Sequence, residues 1–121
     1  MAGDTVNLQE KFDAFSEYWS PKVVGELNGQ QVKLAKLKGA FIWHHHARED
    51  EVFYGVQGTL RMACHDQIVT VREGEFVIVP SGVEHKPMAE EEVQVMLFEP
   101  ATTVNTGNVT NAFTRNGNEQ V

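Results

Sequence analysis

WHHHAREDE, running from Trp43 to Glu51, and PSGVEH, running from Pro80 to His85, together hold four of the chain's five histidines. If Ala40–His46 is a strand, its side chains alternate, so His44 and His46 share one face with Ala40 and Ile42 while Phe41, Trp43 and His45 take the other. Two imidazoles on one strand face can chelate an ion. Glu51 opens the next strand after a short turn, and His85 follows the Pro80-Ser81-Gly82 turn, where glycine tolerates positive φ. Three neutral imidazoles and one carboxylate suit a first-row divalent metal and leave coordination positions open. Glu49 and Asp50 stand in the same turn as Glu51 and are alternative carboxylates.

On either side of these segments, from Val23 to Glu99, short runs of Val, Ile, Leu and Phe are separated by Gly, Asn, Pro or Asp. The pattern predicts strands at Val23–Leu27, Val32–Lys38, Ala40–His46, Val52–Val56, Thr59–Cys64, Ile68–Val71, Phe76–Val79 and Val93–Phe98. Their even spacing favours an all-β barrel or sandwich. Thr59 to Cys64 alternates cleanly, with Leu60, Met62 and Cys64 on one face. Glu90-Glu91-Glu92 reads as a solvated turn before the last strand. Ahead of the strands, Asn7 is an N-cap with Glu10 three residues on, and Leu8, Phe12, Phe15 and Trp19 recur at helical spacing until Pro21. Residues 1–22 are therefore expected to be a helical segment, 23–100 the barrel and 101–121 a polar tail. That tail carries five Asn and five Thr with few large apolar residues, so a loose or partner-docked terminus is expected.

The 121 residues suffice for one core and not for two. Seventeen acidic against ten basic residues leave a formal charge of −7, which repels phosphate backbones and anionic lipid heads and argues against nucleic acid as a partner. No apolar run approaches the ~20 residues of a membrane span, and the first dozen residues lack a basic-then-apolar stretch, so no membrane association and a cytoplasmic location are expected. Cys64 is the single cysteine, which leaves only histidines and carboxylates to hold a metal within one chain.

The two histidine segments resemble the cupin family. Its first motif is matched by Gly39, His44, His46, Glu51 and Gly58, and its second by Gly74, Pro80, Gly82 and His85, with fifteen residues between Gly58 and Gly74. Four residues separate Gly39 from His44 where the family has five, and Ala89 replaces the family's asparagine. The resemblance covers about Lys33 to Phe98. It implies a small antiparallel jelly-roll barrel. It also implies a divalent metal (zinc, manganese, iron or nickel) held inside by His44, His46, Glu51 and His85, with Glu51 ranked above Glu49 and Asp50 by its distance from Gly58.

A single carboxylate leaves a divalent site near charge +1, so a polar or anionic, sugar-like small molecule is the expected ligand. Ile42, Phe53, Met62 and Met96 are expected to line the cavity, and Arg48, Arg61 and Lys86 are cations that such a ligand could meet. Metal-dependent isomerase, lyase or dioxygenase chemistry is the first functional reading. A non-catalytic ligand-binding or sensing module is the second, although a regulator's basic DNA-binding domain has no counterpart here. Outward Trp43, the helix and the tail offer surfaces for a homodimer.

Overall fold

Asn7 begins the first element: its side-chain oxygen accepts the Glu10 N–H at 2.9 Å and opens α1 (Leu8–Asp13). The computed structural model describes residues 3–116 and 118–121. α1 stops well short of Trp19, because the following chain is drawn along the sheet. Trp19 adopts φ 59°, its N–H donates to the Lys36 carbonyl at 2.9 Å and its indole N–H to the Lys38 carbonyl at 2.9 Å. The apolar residues spaced as one helix are thus shared between a short helix and an extended segment. Phe12 and Phe15 pack with Leu34 in a small cluster of their own, while Trp19 joins the main core.

Seven strands follow: β1 (Lys22–Leu27), β2 (Gln30–Ala40), β3 (Glu51–Gln57), β4 (Leu60–Cys64), β5 (Gln67–Val71), β6 (Phe76–Val79) and β7 (Lys86–Pro100). All the strand pairings are antiparallel, in the order β1-β2-β7-β3-β6, with β4 paired to both β5 and β7. This is the antiparallel jelly roll with a short N-terminal helix. β7 is its spine, meeting β2 along most of its length, β3 near its end and β4 near its start.

Glu90-Glu91-Glu92 is exposed as expected, but lies within β7 rather than in a turn. Leu37 pairs with Val93 and Gly39 with Ala89, so three glutamates oppose the single Lys38 and bulge outward.

Leu37, Phe53, Leu60, Met62, Val71, Val93, Val95 and Leu97 form the centre of the core. Each such fully buried side chain contributes about 1.5–3 kcal/mol. β2 is buried on both faces, because α1 covers Leu34 from outside while Lys33, Ala35 and Leu37 point inward. An interior charge stands in that inward row.

The tail is packed on the barrel, contrary to the expectation from its composition. Thr103 and Thr106 are fully buried, Lys11 Nζ donates to the Val121 carbonyl at 2.9 Å, and the Val23 N–H to the Glu119 carbonyl at 2.7 Å. Hydrogen bonds hold it where apolar area is scarce: Thr106 Oγ1 reaches the Val109 carbonyl at 2.6 Å, and Asn105 Nδ2 donates to the carbonyls of Trp19 and Phe113.

Candidate metal centre

The regular strand expected at Ala40–His46 ends at Ala40, and the backbone of residues 41–46 finds its partners elsewhere. The Phe41 N–H donates to the Pro87 carbonyl at 2.9 Å. His44 and His85 exchange both backbone hydrogen bonds, at 3.0 and 2.9 Å, as an isolated antiparallel bridge. His45 is clamped by one tail residue, Asn108, whose side-chain oxygen accepts the His45 N–H at 2.9 Å while its own N–H donates to the His45 carbonyl at 3.0 Å. Gly82 donates to the His46 carbonyl at 2.7 Å, and its φ of 82° lets the turn ahead of His85 approach so closely. The two histidine segments are therefore tied together through their main chains.

The departure from strand geometry changes one face assignment. Phe41, expected on the outer face with Trp43 under cover of another element or subunit, is covered but faces the interior cavity, packed between Trp19 at 4.6 Å, Phe113 at 5.3 Å and the edge of His44 at 5.4 Å between ring centroids. Trp43 stays half-exposed, stacked on His65. His45 turns outward to Glu84, with Nδ1 2.6 Å from Oε2.

Inside the barrel the imidazoles of His44, His46 and His85 converge, each offering a nitrogen within 4.8 Å of the other two. His44 Nδ1 lies 2.9 Å from the Ile42 carbonyl and His85 Nδ1 2.8 Å from the Val83 carbonyl. A carbonyl only accepts, so both Nδ1 atoms carry the proton and both Nε2 lone pairs face inward. Glu51 Oε1 lies 3.3 Å from His46 Nε2 and 3.9 Å from His85 Nε2, without hydrogen-bond alignment. His46 Nε2, His85 Nε2 and Glu51 Oε1 are buried and have no hydrogen-bond partner. Donor atoms bound to one first-row metal at ~2.0–2.2 Å lie roughly 3–3.5 Å apart. The three histidines therefore fit a metal ion with some contraction, and Glu51 stands beside them, nearest to His46.

Burial drives the electrostatics. It holds the His44 imidazole down to about 3, reinforced by neighbouring His85, and lowers His46 and His85 as well. All three are therefore neutral at neutral pH, the form that ligates metal. Burial raises the Glu51 carboxyl, and raises Glu99 well above the usual carboxylate range with the Glu51 charge beside it adding to the shift.

Residues 30–100 match the cupin domain family, and the matched region runs from β2 through β7 with both histidine segments inside it. The chain belongs to the cupin domain family. It is 49% identical to a cupin-2 domain containing protein from Shewanella frigidimarina, whose crystal structure superposes with a TM-score of 0.77 over 78% of this chain and 93% of that one. A Neisseria meningitidis protein is 36% identical, with a TM-score of 0.74 over 80% of this chain and 99% of that one. The Bacillus subtilis protein YdbB is 31% identical over 64 residues, 52% of this cupin and 57% of YdbB. The chain thus spans little more than half the length of that curated relative.

In this cupin the alternative carboxylates are engaged elsewhere. Glu49 accepts the Thr102 hydroxyl at 2.8 Å and Asp50 the Ser81 N–H at 2.8 Å. The interior cavity, about 40 Å³, is walled by Trp19, Leu37, Phe41, Phe53, Val95 and Leu97. His44, Glu51, Lys33, Glu99 and Asn105 supply its polar groups. Of the four expected wall residues only Phe53 lines this cavity. Ile42 packs on the outer part of the core, Met62 lies fully buried on β4, and Met96, out of phase with Val95 and Leu97, sits under α1.

Arg48, Arg61 and Lys86 are absent from the cavity wall, although Arg48 lines an outer recess of about 250 Å³ together with His46, Thr102 and Asn108.

Lys33 and Glu99 have no place in the sequence-based reading. Lys33 Nζ lies 3.1 Å from Glu99 Oε2, both side chains are almost fully buried, and Glu99 is in hydrogen-bonding reach of Glu51. Register explains the row: Lys33 pairs with Leu97, which places Glu99 diagonally across, and Val52 pairs with Phe98, which brings Glu51 opposite Glu99. Their signal was a charge in phase with inward apolar residues, Lys33 with Ala35 and Leu37, and Glu99 with Val95 and Leu97.

These shifts predict a pH dependence for the metal-free protein. Below 6.5 the unfolded chain protonates three imidazoles that the folded barrel keeps neutral, so their contribution falls as pH drops from 6.5 toward 3 for His44. Glu51 and Glu99 act oppositely, stabilising below 4.5 and losing that contribution as pH rises through their raised values. After EDTA treatment the imidazole proton resonances of His44, His46 and His85 are expected to titrate below pH 6.5, that of His44 at about 3. Titration of any of the three at or above 6.5 would contradict the neutral-histidine assignment.

Proposed function

We propose that His44, His46, Glu51 and His85 hold one divalent metal ion, and that this cupin is a small-molecule enzyme for a polar or anionic, sugar-like substrate. The observation that carries the reading is the convergence of unpartnered nitrogen and carboxylate lone pairs in a buried cavity. Bound zinc, manganese or nickel supplies Lewis acidity there, and iron adds redox chemistry. The apolar walls exclude bulk water and Glu51 brings the one anionic donor among the four. Elemental analysis of tag-free protein purified without chelator tests the reading: about one equivalent of a first-row metal per chain is expected. No metal, even after each ion is added in turn, would leave a histidine-lined binding barrel.

No helix among the described residues is long and apolar enough to cross a membrane. The single cysteine, Cys64, is free, in keeping with a reducing cytoplasm.

A homodimer forms part of the same proposal. Phe76 and Ile78 on β6 are 62% and 54% exposed, and the register sets Ile78 beside Val52 and Val52 beside Phe98, itself 36% exposed. This apolar row crosses three strands and ends on an edge strand, a surface suited to a second copy. Light scattering at micromolar concentration is expected to give twice the mass of one chain, and Phe76→Lys with Ile78→Lys to give monomer. A monomeric parent protein would remove the idea.

A further inference from the structure

We propose that Lys33 is the specificity-determining residue of the cavity, holding the carboxylate of a small monoanionic ligand whose other oxygen faces the histidine cluster. The inference rests on the metal reading above and adds the ligand's charge and the residue that reads it. Lys33 is the one Lys or Arg among the described residues lining the cavity, and its side chain is 1% exposed. An ammonium has three N–H donors, and the structure gives this one a single acceptor, Glu99 Oε2 at 3.1 Å. The two remaining donors have no hydrogen-bond partner among the described residues, and the lining of the same cavity carries His44, Glu51 and Asn105 beside its apolar walls. A buried cation with unused donors in an apolar chamber is a demand for an oxygen ligand.

Charge points the same way. A divalent ion with Glu51 leaves +1, which one carboxylate neutralises, and the Lys33 ammonium adds to the pull on an anion. The class is carboxylic acids bearing a second oxygen, acidic sugars of the reading above among them, and glycolate is its smallest member.

The pair is net neutral, so replacing both members alters local contacts and not overall charge. Burying hydrophobic groups in place of an ion pair is tolerated and often stabilising, whereas removing one partner strands a charge. The test therefore uses K33M/E99L, which strands no charge, and sets beside it E99Q, which deliberately leaves the Lys33 ammonium for the ligand alone.

Each protein is loaded with cobalt(II) in chloride-free buffer and titrated with glycolate, acetate and, as a neutral control, ethylene glycol. The cobalt absorption bands and calorimetry supply the readouts. Glycolate is expected to bind the parent, acetate more weakly, and ethylene glycol not at all. K33M/E99L is expected to take up cobalt normally, melt within a few degrees of the parent and lose about ten- to a hundred-fold in glycolate affinity, the worth of one charged hydrogen bond. E99Q frees Lys33 from its competitor and is expected to bind glycolate several-fold more tightly.

A purely structural pair would lower affinity in both variants or in neither, and either pattern overturns the proposal. So does a cobalt-loaded parent that ignores glycolate. Failure of the parent to take up cobalt would sink the metal reading itself, and the charge count with it.

Discussion

His85→Ala protein, purified beside the parent without chelator, is expected to retain less than about a tenth of the parent's metal. His85 is fully buried, its Nδ1 is committed to the Val83 carbonyl, and its Nε2 faces His46 and Glu51 with no other partner. Removing it deletes one of the three converging histidines and one of the four donors proposed for the ion. Folding should survive, because the backbone exchange between His44 and His85 needs no side chain and the lost imidazole was itself buried at a desolvation cost.

Glu51→Gln probes a different term. The amide keeps shape and a single oxygen donor while removing the only anion among the four, so metal affinity is expected to fall while the fold stays. Equal metal content in parent and both variants, with folding verified by circular dichroism, would place the metal elsewhere or nowhere.

Both the barrel and the histidine cluster were legible in the sequence, for physical reasons that also mark where legibility stopped. Strands with regular alternation, such as Leu60–Cys64, appear within a residue of their expected bounds, because one wet face and one dry face impose period two. His44 and His46 face inward as alternation predicts, yet Phe41 does too, because residues 41–46 are held by Pro87, His85, Asn108 and Gly82 rather than by a regular ladder. Phase also places Met96 outward, since it follows the inward Val95.

Lys33 and Glu99 broke the rule that a lysine or glutamate marks the solvent face. Only the register of β2, β7 and β3 sets them in one row with Glu51. The tail departs from its composition for another reason. Composition measures how much apolar area a segment can bury, and this segment is held by side-chain hydrogen bonds whose partners lie in the N-terminal segment and the ligand loop.

That attachment gives the second large expected effect, for Gly107→Val. Gly107 has φ 56°, and a Cβ there would meet the His45 carbonyl far inside van der Waals contact, with His44 Cδ2 at 3.2 Å. Backbone cannot retreat as a flexible side chain can, so the tail must lift. Lifting also breaks both hydrogen bonds between Asn108 and His45, which lies between two proposed ligands. The loss is about 2–4 kcal/mol of local docking free energy, from two hydrogen bonds of about 1 kcal/mol each and the strain avoided by detachment.

The barrel itself should persist, since α1 and the strands make the two cores, and unfolding confined to a terminus is a separate, cheaper event. Trypsin is expected to cut after Arg115 many times faster than in the parent. In a Trp43→Phe background, Trp19 emission should shift to the red as Asn105 leaves its carbonyl and Phe113 leaves the Phe41 ring stacked on its indole.

The functional consequence separates a docked tail from an ornamental one. With Asn105 withdrawn from the cavity wall and His45 unclamped, a chelator should strip metal from the variant faster than from the parent, and Asn108→Ala should do so to a smaller degree without the steric clash. Metal release at the parent's rate, despite accelerated proteolysis, would mean that the tail covers the cavity without governing the ligand loop.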